Sequence, residues 1–183
     1  MFIVISSSPN PGGLTASCVE AITTGIHEAG QHAEHIDLCK MSLERCRQCG
    51  NGWGQCRAEN SCIIDDDFAE LQRMLAIADG VVLISPVYYG EVSESMKTAC
   101  DRIRRCQAPR GDNAILKNKP IIAIAAAGGS GNGTLSCLTQ MERFIQQGHA
   151  HVQDLVGVTR RNRGYKLDAI RIAAREMVSN HNS

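Results

Sequence analysis

The chain has 183 residues, enough for one domain whose ordinary hydrophobic core buries roughly 70% of the unfolded surface. Its 19 Lys and Arg balance 19 Asp and Glu, which argues against an extended electrostatic footprint for nucleic acid or an acidic membrane surface. The opening MFIVISSSP lacks a basic n-region and nowhere do about 18 apolar residues run together, so a cytoplasmic protein without a membrane span is expected.

Phe2 to Ile5 is an apolar first strand, and Leu14 to Ala29 a helix that Gly30 closes. His32 to Leu38 fits a second strand. Residues 39–62 then break the rhythm with glycine-rich turns and five cysteines, the mark of an insertion at a loop. Asp65 to Ala78 is amphipathic and helical, and Asp65, Asp66 and Asp67 are read as serving its dipole rather than holding magnesium. Val81 to Ile84 is a β-branched and apolar strand of the kind buried on both faces of a sheet, and Pro86 and Gly90 end it. Ser93 with Glu94 starts a helix reaching about Cys106. Lys119 to Ala126, Thr134 to Gln147, Val152 to Val158 and Leu167 to Val178 complete the alternation. Five βα units without repeats make an α/β domain spanning residues 1–183. The expected form is a flavodoxin-like three-layer sandwich, its five-stranded parallel sheet ordered 2-1-3-4-5 with a cysteine-rich insertion after strand 2.

In such a sheet, ligands bind beyond the carboxyl ends of the strands. Three loops fall there. Ser6 to Thr15 brings hydroxyls and glycine amides to a helix N-terminus, which favours a phosphate; Ser8, Asn10 and Thr15 add hydrogen bonds. The same residues would also serve as a plain cap. Neither GxxxxGK[ST] nor GxGxxG is present, so a nucleoside triphosphate loop and a dinucleotide fingerprint are excluded. Pro86, Val87, Tyr88, Tyr89 and Gly90 form an aromatic turn, which suits a flat ligand or merely covers a core edge. Gly128, Gly129 and Ser130 open a third loop, where bare backbone can approach a ligand closely. One phosphate-like, one aromatic and one glycine-rich loop on a single edge describe a site for flavin mononucleotide.

These segments, with SCIIDDDF and the Asp101-Arg102 pair, make residues 1 to about 160 resemble the flavodoxin-like NAD(P)H-dependent FMN reductases and the related iron-sulfur flavoproteins. The resemblance implies FMN phosphate at Ser8, Asn10, Gly13, Leu14 and Thr15, and the isoalloxazine between Pro86 to Gly90 and Gly128 to Ser130. It implies NAD(P)H as donor, a small acceptor such as a quinone, and a homodimer or homotetramer. In this family an arginine or lysine often stands where this chain has Asn10. The alternative is an electron-transfer flavoprotein serving protein partners, against which the neutral charge leans. With the flavin as the reacting group, no catalytic side chain is required.

Cys46, Cys49, Cys56 and Cys62 make C-x2-C-x6-C-x5-C, a set able to hold zinc or an iron-sulfur cluster. The stretch Gly50 to Gln55 before the third cysteine is longer than is usual in the iron-sulfur flavoproteins that the chain resembles. The competing reading packs this loop over the flavin with Trp53 as a lid, and Trp53 equally suits a hydrophobic plug or a dimer contact. Cys39 to Arg45 matches CxxxxxR, but it lacks the glycines and the helix N-terminus that activate a phosphatase thiolate. Arg160, Arg161 and Arg163 are read as a solvated turn rather than an adenosine-phosphate site.

Overall fold

The computed structural model describes residues 1–181. In chain order the elements are β1 (Phe2–Ser6), α1 (Leu14–Glu28), β2 (Ala33–Asp37), α2 (Gln55–Ala58), α3 (Phe68–Ile77) and β3 (Gly80–Pro86). Then come α4 (Glu94–Gln107), β4 (Pro120–Ala127), α5 (Thr134–Gln147), β5 (His151–Thr159) and α6 (Arg163–His181). All five strands pair in parallel in the order β2-β1-β3-β4-β5, as the sequence predicts. A short 3-10 helix over Ala108–Asn113, opened by Pro109, was not foreseen.

Period-two alternation divides the central strands between two cores. Ile3, Ile5, Val81, Leu83, Ile121 and Ala123 face one layer, packed on Phe68, Leu71, Met96, Ile103 and Met141 of α3, α4 and α5. Phe2, Val4, Val82, Ile84, Ile122 and Ile124 face the other, against Ile22 and Ile26 of α1 and Ile170 and Met177 of α6. The two helices of that second layer touch closely. A Cβ at Gly25 would lie 2.1 Å from the Arg171 carbonyl oxygen, so only glycine permits this approach. Among the described residues no helix is long and apolar enough to cross a membrane.

The insertion is fastened to the rest by a buried ion pair. Arg102 on α4 donates from Nη1 and Nη2 to Asp66 at 2.6 and 2.8 Å, and the two side chains are 1% and 3% exposed. Arg102 Nη1 also donates to the Glu44 carbonyl, while the Glu44 and Phe68 amides donate to Asp66. The guanidinium lies over the Phe68 ring at 4.2 Å. This corrects the reading of Asp65 to Asp67 as helix-dipole acids. Asp66 pairs with Arg102 and Asp67 accepts from the Ser42 amide, so both carboxylates bind the insertion and α3 begins only at Phe68.

Burial works to raise the Asp66 pKa, but the Arg102 and amide hydrogen bonds outweigh it and hold the carboxyl below its usual value. A depressed acid pKa contributes stability that is present above the unfolded value and is lost as pH falls through the folded one. Asp66→Asn should therefore lower the urea midpoint at neutral pH, by the equivalent of about 3–5 kcal/mol if the buried guanidinium is left uncompensated. Its difference from wild type should shrink as pH falls below about 3.9. Equal midpoints at pH 7 would show that the pair does not hold the insertion.

Candidate functional site

Because the strands are parallel and Ser6 aligns with Ile84, the β1, β3 and β4 loops emerge side by side on one edge. In the first loop the Gly12 amide donates to Asn10 Oδ1 at 3.2 Å and the Gly13 amide to the Asn10 carbonyl at 3.3 Å. The Asn10 amide in turn donates to Ser8 Oγ. Asn10 thus shapes the turn that feeds α1. The helix has no side-chain cap and no acid in its first turn, and the Leu14, Thr15 and Ala16 amides have no acceptor among the described residues. Three outward amides at the positive end of a helix dipole fit a phosphate. Thr15 is buried beneath them. Arg163, expected in a solvated turn, instead donates from Nη2 to Ser17 Oγ at 2.9 Å and brings a cation to this end of α1.

The β3 and β4 loops line one cleft of about 550 Å³, formed by Val87, Tyr89, Gly90, Gly129, Ser130 and Gly133 with their neighbours. Tyr88 and Glu91 exchange two backbone hydrogen bonds at 2.9 and 3.0 Å. The turn between them puts Tyr89 at φ 52° and Gly90 at φ 83°, a two-residue reversal with both central residues left-handed. Ser136 Oγ donates to the Gly90 carbonyl at 2.7 Å, and a Cβ on Gly133 would lie 2.6 Å from Gly90 Cα. The two loops are therefore locked backbone to backbone. Tyr89, Gly90, Gly129 and Ser130 amides have no acceptor among the described residues, and added Cβ atoms at Gly128 and Gly129 would meet nothing within 4 Å. Free donors beside open glycine backbone fit the polar edge of a flavin ring, so the residues present fit FMN. Pro86 is buried as the last residue of β3, whereas Tyr88 borders a neighbouring cleft with Ser7, Pro9 and Cys39.

The insertion turns the other way, toward α4. Cys46, Cys49, Cys56 and Cys62 line one cavity with Arg102, Arg105 and a fifth thiol, Cys106. None of residues 46–62 lines the cleft between the β3 and β4 loops. Trp53 is thus no lid on that cleft; it stands near the Arg105 and Arg57 guanidinium groups at 5.2 and 6.0 Å, and Arg105 donates to the Gly52 carbonyl. All nine cysteines are free, and among the described residues no group of three His, Cys, Asp or Glu already stands in metal-binding geometry. The donor set nevertheless fits a soft metal or cluster. Four thiols reach one cavity, and Arg102 Nε is the buried side-chain N or O atom without a hydrogen-bond partner there. An unpaired buried donor costs about 1–3 kcal/mol, which an anionic group in the cavity would recover. The Cys106 thiol is pushed up to about 12, first by burial and then by Cys62 and Cys56, with Arg102 opposing. Cys39 is also raised, first by burial, and is no activated nucleophile.

Residues 1–161 match the model of the NADPH-dependent FMN reductase family. The chain belongs to this family. It is accordingly a flavin oxidoreductase, with FMN as cofactor and a reduced nicotinamide nucleotide as donor. Among the curated relatives of this FMN reductase, an iron-sulfur flavoprotein of Methanocaldococcus jannaschii is 34% identical over 143 residues, covering 78% of this chain and 70% of the relative. One of Methanosarcina thermophila is 30% identical over 156 residues, covering 84% and 74%. Among solved structures, a flavone reductase superposes with TM-score 0.77 at 17% identity; the match covers 100% of this chain and 64% of that one. The NAD(P)H:quinone oxidoreductase of Methanothermobacter marburgensis gives 0.72 at 19%, covering 96% and 94%.

Sequence reasoning missed Cys106 in the thiol cavity, Ser136 behind Gly90 and Arg163 beside Ser17. Only Arg102 carried a signal, as part of the Asp101-Arg102 motif. The locked loops of the FMN reductase yield a direct test. Gly133→Ala forces its Cβ into Gly90, so FMN affinity by fluorescence quenching should fall about tenfold or more, about 1.4 kcal/mol. Undiminished affinity would place the ring outside this cleft.

Proposed function

We propose that this FMN reductase carries hydride from a reduced nicotinamide to FMN and passes electrons to a small acceptor such as a quinone. The observation that carries this reading is the set of unpaired amides along one sheet edge, at Leu14 and Thr15, at Tyr89 and Gly90, and at Gly129 and Ser130. Ser8, Asn10, Gly13, Leu14 and Thr15 surround the phosphate, while Pro86 to Gly90 and Gly128 to Ser130 flank the ring. When bound, FMN supplies the two-electron and one-electron chemistry. The chain's amides orient the ring and offset negative charge on it. Tyr88, Tyr89 and Leu135 are exposed beside the cleft, which supports a homodimer or homotetramer whose other copy covers it.

Cys46, Cys49, Cys56 and Cys62 hold an iron-sulfur cluster in this reading. The thiol cavity and the relatives named iron-sulfur flavoproteins support it. A second redox group also keeps open service as an electron carrier to protein partners. Anaerobic mixing with NADPH separates the two: bleaching of the flavin absorbance followed by recovery on adding a quinone is expected, and no direct reduction at millimolar nucleotide would favour the carrier. Metal analysis tests the cavity. Iron and acid-labile sulfide should be lost in Cys46→Ser and Cys49→Ser and kept in Cys106→Ser, whereas zinc, or no metal in wild type, would refute the cluster.

A further inference from the structure

Arg102 is saturated on one side and open on the other. Asp66 and the Glu44 carbonyl take the Nη1 and Nη2 donors, and the Phe68 ring covers a face of the guanidinium. Nε is the guanidinium nitrogen left with no partner, on a side chain 1% exposed, and the residue lines the thiol cavity with the Cys62 thiol close enough to act on its charge. Cys106 stands one turn further along α4 on the same cavity.

A protonated thiol is a weak acceptor, but a metal-bound thiolate or cluster sulfide is negatively charged and accepts well. We propose that Arg102 Nε–H is the hydrogen-bond donor to the sulfur of the metal-thiolate group in this cavity, with Cys62 as its acceptor. Arg102 is then a positioning residue. It couples the group to the same buried ion pair that docks the insertion, and by stabilising the more negative reduced state it raises the reduction potential. The inference rests on the cluster reading given above. It assigns a role that the four cysteines alone do not predict, since Arg102 lies 40 positions beyond Cys62 in the chain.

Lysine keeps the charge but lacks the fork that serves Asp66 and the cavity together. Wild type, Arg102→Lys and Asp66→Asn would be reconstituted anaerobically with iron and sulfide. Cluster midpoint potential and the rate of iron loss to a chelator would then be read for each. Arg102→Lys should have a lower potential and lose iron about tenfold faster or more. Asp66→Asn, which keeps Nε, should keep its potential closer to wild type, although loss of the docking pair speeds iron loss there too. Equal potentials in Arg102→Lys and wild type, or in Arg102→Lys and Asp66→Asn, overturn the inference while leaving the cluster intact. Iron absent from wild type overturns the cluster reading itself and this inference with it. A measurement free of folding effects uses unmutated protein labelled with [ε-15N]arginine. Pulsed EPR of the reduced cluster should show a coupled 15N that persists in Arg105→Lys, and its absence refutes the bond.

Discussion

The buried Asp66–Arg102 pair is the interaction that ties the cysteine-rich insertion to the α/β scaffold. The sheet and its two cores form from period-two strands and amphipathic helices without it. The insertion has less of this: its one short helix, Gln55–Ala58, buries no residue, and only Met41, Leu43, Cys56 and Cys62 pack, half-buried, against the core. Beside these contacts it is fastened by a charged pair taken out of water, which is tolerable only because the carboxylate also accepts two amides and the guanidinium also reaches a carbonyl. Those hydrogen bonds anchor the chain at Glu44, two residues before Cys46, beside the cavity that the four cysteines line.

Two cavities of different chemistry therefore stand apart on one scaffold. The carboxyl edge of the sheet carries unpaired amides and glycine backbone, which fit a flat, phosphorylated cofactor. Between the insertion and α4, thiols and guanidinium groups line one cavity, a lining that fits a soft, anionic group. Rigid backbone contact maintains the first, most tightly where Gly133 meets Gly90. A buried charge network maintains the second. Both rely on glycine, arginine or aspartate placed where a substitution by a similar residue would change geometry rather than polarity.

Strand order, helix positions and the three edge loops were legible because each has a local signal: β-branched runs, capped amphipathic stretches, and glycine or proline at turns. Element ends moved where side chains reach across the chain. The third helix starts at Phe68 rather than Asp65 because Asp66 and Asp67 bond to the insertion. The last helix starts at Arg163 rather than Leu167 because the Thr159 amide donates to Asn162 Oδ1 and the Asn162 amide to Thr159 Oγ1, which turns the chain early. The cysteines were visible as a cluster in sequence, yet their partner surface was not. Cys106 and Arg102 come from a helix some 40 residues away, and no periodicity announces that contact. Asn10 Oδ1 also accepts from the Gly12 amide and braces the first loop, and loop-internal bonding of that kind has no separate sequence signature.

The most direct test of the account is a crystal structure of the anaerobically prepared chain with FMN. The phosphate is expected on the Leu14 and Thr15 amides, with the ring between Tyr88 to Gly90 and Gly128 to Ser130. A flavin bound elsewhere on the sheet, or a phosphate away from the α1 terminus, would contradict it.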